Sequence, residues 1–98
     1  MEIIKCYLCG NEKAEMKLDP EGGSEDELVW CEKCEFYLLT SQIKKRFFET
    51  ELLTEDDKEK LSQRVKKEYD PEKPKDPVEI TKEMIKEETG KESVGYIK

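Results

Sequence analysis

The sequence contains no histidine. The commonest general base and the commonest nitrogen ligand for a metal ion are both missing. A hydrolytic zinc site also needs an open coordination position for water, and nothing here suggests one. Ser24, Ser41, Ser62 and Ser93 have no evident base to activate them, so the chain reads as a protein without catalysis of its own. Long apolar runs are absent too. No window approaches the roughly 18 apolar residues that a membrane span needs, and the opening Met-Glu-Ile-Ile-Lys has no apolar stretch to act as a secretion signal. A soluble, cytoplasmic chain is expected. Apolar residues make up only 35% of the 98, so a core built from side chains alone would be marginal.

What is present is four cysteines in two identical spacings, Cys6-Tyr-Leu-Cys9 and Cys31-Glu-Lys-Cys34, separated by 21 residues. Two C-x-x-C pairs supply the four thiolates of a closed tetrahedral sulfur site, with zinc as the leading ion and a rubredoxin-like iron site as the alternative. A redox dithiol of the thioredoxin type needs one such pair at the start of a helix in a βαβ unit, and neither pair has that setting. Structural zinc contributes roughly 10–16 kcal/mol in finger peptides, more than the ~3–5 kcal/mol that a small core leaves after entropy. Folding of the first forty residues is therefore expected to depend on metal.

The pattern around the cysteines predicts about three short antiparallel strands. Ala14, Met16 and Leu18 alternate with charged residues, Asp19-Pro-Glu-Gly-Gly23 is turn chemistry, Leu28-Val-Trp30 leads into the second pair, and Phe36-Tyr-Leu-Leu39 follows it. Gly10 suits a knuckle that needs positive φ, whereas Glu35 at the equivalent place makes the second knuckle less favourable. Trp30 and Tyr37 read as a small core shielding the metal.

Thr40 or Ser41 can cap a helix reaching about Leu53, with Ile43 and Phe47 on one side and Phe48 and Leu52 on another. Thr54 and Asp57 resemble a capping box for a second helix that carries Leu61, Val65 and Tyr69 along a narrow edge and buries little. Three prolines in Asp70-Pro-Glu-Lys-Pro-Lys-Asp-Pro77 read as an extended spacer. Thr81 then caps a short helix ending at Gly90, with Ile80 and Ile85 placed as a hydrophobic staple. The expected organisation is a small, metal-stapled α+β protein: a zinc ribbon over residues 1–40, a two-helix extension over 41–69, a spacer over 70–77, and a short helix and tail over 78–98.

The formal charge is −7, and −6 of it lies in residues 1–40, which hold four lysines against eight glutamates and two aspartates. Such a ribbon should repel phosphate. The best candidates for nucleic-acid contact are Lys44, Lys45, Arg46, Arg64, Lys66 and Lys67, but neighbouring residues spread around a helix and need not form one patch.

The sequence Cys6-Tyr-Leu-Cys9-Gly10, followed by Cys31-Glu-Lys-Cys34-Glu-Phe-Tyr-Leu-Leu-Thr40, resembles the zinc-ribbon domains near the start of many small bacterial and phage proteins. That likeness implies the metal ligands and local fold of the first half of the chain and leaves function open. A weaker likeness, to zinc-ribbon antitoxins and related regulators, implies a DNA-binding domain after the linker. The segment from Ile80 to Gly90 looks like the first helix of such a domain, without a recognition helix after it.

The resulting expectation is a zinc-binding protein-interaction module or adaptor, with Phe48 and Leu52 as its partner-binding or self-association surface. The alternatives are a nucleic-acid-binding regulator and a rubredoxin-like electron carrier.

Overall fold

A computed structural model describes residues 2–19 and 26–92. Most of the expected turn at 19–23, together with Ser24 and the segment 93–98, lies outside the described residues.

The sheet has five strands in sequence order: β1 (Glu2–Ile4), β2 (Ala14–Leu18), β3 (Glu27–Cys31), β4 (Glu35–Leu39) and β5 (Val78–Glu79). The first four pair antiparallel, and β5 pairs parallel to β4. The three central strands are those expected from the sequence. The two outer ones are too short to carry a period-2 pattern of their own.

Register divides the sheet into two faces, because Ala14, Val29, Tyr37, Leu39 and Val78 alternate with outward residues along their strands. All five are buried, and four of them are completely buried. The opposite face carries Ile3, Glu15, Trp30 and Phe36 in one cross-strand row. Trp30 meets Phe36 and Tyr69 edge-on, with ring centres 5.9 and 6.0 Å apart. Tyr37 therefore belongs to the core that shields the cysteines, but Trp30 lies on the far face of the sheet and remains 37% exposed.

After β4, Thr40 accepts a hydrogen bond from the Ile43 backbone N–H and caps a single α-helical turn, α1 (Ser41–Ile43). A π-helical turn, Lys44–Phe48, continues it and closes with a bond from the Glu49 N–H to the Lys44 carbonyl at 2.9 Å. The helix stops there, short of the expected Leu53, and Glu51 sits at a positive φ of 58°. Leu52 thus lies beyond the helix. Phe48 and Leu52 do not form an outward stripe: both are half-buried against the core, and Phe48 packs edge-on against Tyr7 at 6.0 Å.

Helix α2 (Glu55–Glu68) begins with the full capping box: the Asp57 N–H donates to Thr54 Oγ1 at 3.1 Å, and the Thr54 N–H donates to Asp57 Oδ2 at 3.0 Å. It buries more than its narrow apolar edge suggests, since Leu61 and Val65 are fully enclosed between β4 and α3 (Lys82–Thr89). Each such aliphatic side chain contributes roughly 1.5–3 kcal/mol on burial.

The proline spacer is exposed over residues 71–76, and its exit places Val78 opposite Tyr37. The Ile80 N–H donates to the Leu38 carbonyl at 3.0 Å. Thr81 caps α3, Gly90 ends it at a φ of 74°, and Ile80 and Ile85 are both completely buried as the staple predicts. Residues 78–92 are thus sewn into the same core as strands β2–β4. Arg64 adds a clamp, bonding Glu68 on its own helix and Glu87 and Glu88 of α3, the latter two at 3.0 and 2.9 Å. No helix among the described residues is long and apolar enough to cross a membrane.

Candidate metal centre

Each cysteine pair sits on a tight knuckle at a strand end. In the first, the Cys6 N–H donates to the Asn11 carbonyl at 2.8 Å and the Gly10 N–H to the Cys6 carbonyl at 3.1 Å, with Gly10 at a φ of 78°. In the second, Glu35 takes the same conformation, with a φ of 73°. The two knuckles therefore share a left-handed residue after the second cysteine, and Glu35 carries the roughly 1–2 kcal/mol penalty of an L-residue in that region.

The β3–β4 turn brings Cys31 and Cys34 against Cys6 and Cys9, so that all four sulfurs lie within 4.8 Å of one another. Cys6 and Cys34 sulfurs are 3.8 Å apart, and those of Cys9 and Cys31 are 3.5 Å apart. Four sulfurs about 2.3 Å from a central ion form a tetrahedron with edges of about 3.8 Å. The donors thus fit a single tetrahedral metal ion. Cys6, Cys31 and Cys34 are buried; Cys9 is exposed.

The sulfurs are held by groups from three parts of the chain. Ser62 Oγ on α2 lies 2.9 Å from Cys34 Sγ, the Tyr37 hydroxyl on β4 lies 3.3 Å from Cys6 Sγ, and Asn11 Nδ2 donates to Cys31 Sγ at 3.7 Å. Such partners orient ligands and spread the charge of a thiolate. The Tyr37 oxygen also accepts the Tyr7 N–H at 3.3 Å, tying the first knuckle to the sheet. Without metal, the hydrogen bond between Cys34 and Cys6 draws Cys6 far below the usual thiol range, helped by Tyr37, while the same bond and burial push Cys34 up. Burial pushes Cys9 up as well, and burial beside Cys6 does the same to the Tyr37 hydroxyl. A bound cation reverses this logic and keeps the thiols deprotonated.

A second polar cluster braces the knuckle from behind. The Tyr7 hydroxyl donates to Glu27 Oε1 and Lys44 Nζ donates to Glu27 Oε2, both at 2.6 Å, and the Lys44 ammonium sits 5.7 Å from the centre of the Tyr7 ring. Glu27 is buried on the core face of β3. Burial, reinforced by the neighbouring Glu27 carboxylate, pushes Tyr7 up to about 12, and the Glu27 hydrogen bond raises Lys44. Neither Glu27 nor Ser62 stands out in the sequence. Their roles depend on contacts across 17 and 28 residues.

No family model, no curated protein and no solved structure matches this chain.

The six basic residues singled out by sequence do not form one patch. Lys44 and Arg64 are bound in the internal ion pairs above. Arg46 lines a hollow with Lys82 and Lys86. Lys67 lines another with Arg64 and Glu88, and Lys66 faces a third, beside the first knuckle. Lys45 is exposed on the π-helical turn.

Proposed function

We propose that this chain is a small zinc-stapled module of the cytoplasm that binds another protein and performs no catalysis of its own. The observation that supports it is the closure of the four-sulfur site: four thiolates complete a tetrahedral shell, three of the sulfurs are buried, and the groups around them are hydrogen-bond donors rather than acids or bases. Zinc is the ion that best suits four thiolates in a site of this form.

For the partner surface, the far face of the sheet is a better candidate than Phe48 and Leu52. It leaves Ile3 63% and Trp30 37% exposed beside Phe36, while Phe48 and Leu52 already pack internally. Nucleic-acid binding is the weaker reading, because Lys44 and Arg64 are already paired with carboxylates.

Elemental analysis of the purified protein tests the metal, with one zinc per chain expected; an iron-loaded, red protein from the native source would overturn that assignment. A photo-crosslinking residue at Ile3 tests the surface. Crosslinking to protein in native cells supports it, and crosslinking to nucleic acid overturns it.

A further inference from the structure

One face of α2 looks across an open cleft at the first knuckle. The cleft, about 710 Å³, is lined by Cys9 together with Lys5, Lys33, Lys58 and Lys66 and with two carboxylates, Glu55 and Glu59. Those four lysines outnumber the two carboxylates there. Lys44, Arg64, Lys86 and Lys91 are ion-paired, whereas among the described residues Lys5, Lys33, Lys58 and Lys66 have no ion pair or hydrogen-bond partner from their side chains.

Cys9 is equally distinct among the sulfurs. It is the exposed one, and no serine, tyrosine or amide side chain among the described residues reaches it. Sulfurs that accept strong hydrogen bonds are poorer nucleophiles. Reactive thiolates sit in partly exposed, electropositive surroundings.

We propose that Cys9 is a modification site for small hydroperoxides, and that its oxidation to a disulfide with Cys31 opens the metal centre. This rests on the zinc reading above. With hydrogen peroxide, the Cys9 thiolate attacks one oxygen, the O–O bond breaks, and Cys9 becomes a sulfenic acid while hydroxide leaves. The lysine ammoniums lining the cleft stabilise that developing anion. Cys31, its sulfur 3.5 Å from that of Cys9, then attacks the sulfenic sulfur and expels a second hydroxide. The two sulfurs together lose two electrons, and the peroxide gains them. Only Cys6 and Cys34 then remain as thiolate ligands, too few to hold the ion.

The first disulfide formed is the deciding observation. The protein, with its metal content measured beforehand, is treated with hydrogen peroxide near equimolar, quenched by alkylation at intervals, and mapped by peptide mass spectrometry. A chromogenic chelator follows metal release in parallel. The expected result is Cys9–Cys31 as the first disulfide, with release of one zinc per disulfide. In the double variant Lys58→Gln/Lys66→Gln, with metal content unchanged, oxidation should be at least about threefold slower. First formation of Cys6–Cys34, or a double variant oxidised as fast as the wild type, would overturn the proposal. A protein that carries no zinc before oxidation sinks the zinc reading instead, and the identity of the first disulfide still decides the role of Cys9.

Discussion

Ser62 is where the helical part of the chain touches the metal centre, and removing its hydroxyl should be felt there. Its Oγ lies 2.9 Å from the buried sulfur of Cys34, and Ser62 is itself only 5% exposed. A hydrogen bond to a charged group is worth about 1.5–3 kcal/mol, and loss of a partner that orients a metal ligand costs about 10- to 100-fold in affinity. The two scales agree, because tenfold corresponds to about 1.4 kcal/mol. The measurement is competition for zinc against a chromophoric chelator of known affinity at neutral pH, with circular dichroism to confirm that the helices remain. An affinity within about twofold of the wild type in a folded Ser62→Ala protein would show that the contact carries no energy.

Cys34→Ser should abolish metal binding and reduce helical content too, because α2 packs directly over the centre; retained helicity in the metal-free variant, measured by circular dichroism, would contradict that coupling. Glu35→Gly should raise the midpoint of denaturant unfolding, since glycine removes a left-handed penalty of about 1–2 kcal/mol and gives back part of it in unfolded-chain entropy. Gly10→Ala should be destabilising by about 1 kcal/mol for the converse reason: an added Cβ meets only Lys5 Cε at 3.6 Å, so strain at a φ of 78° is the cost rather than a clash.

Asp57 gives a pH signature. Lys91 Nζ at 2.5 Å, and then the Thr54 N–H, hold its carboxyl below the usual carboxylate range. A depressed folded pKa contributes stability that is fully present above the unfolded value of about 3.9 and is lost as pH falls through the folded one. The gap in melting temperature between wild type and Asp57→Asn should therefore stay constant from about pH 8 to 5. A gap that narrows within that window would refute the assignment.

The nearest-neighbour grammar of the chain was plainly legible. Thr40, Thr54 and Thr81 cap helices, Gly90 ends one, and Ile80 and Ile85 are both buried, because caps and staples join residues only a few positions apart. The reach of the first helix was misjudged at Phe48 and Leu52: helical spacing continues through them, but the π-helical turn and the positive φ at Glu51 end the helix, and Tyr7 takes up Phe48. The strain accepted at Glu35 was only half visible, since composition shows an unfavourable residue but not whether the backbone adopts the conformation regardless.

The sequence by itself marked the four candidate metal ligands, because the spacing within each cysteine pair admits a knuckle, and four thiols suit a tetrahedral ion whatever surrounds them. It also marked the central strands, β2 by its alternation and β3 and β4 by short apolar runs on either side of the second cysteine pair. Tertiary structure alone decided that Val78 extends the sheet, that Trp30 faces away from the metal, and that Ser62 and Tyr37 hold the sulfurs while Cys9 lies open. Those outcomes depend on which distant side chains are brought together, and no local periodicity encodes a contact between residues 28 positions apart.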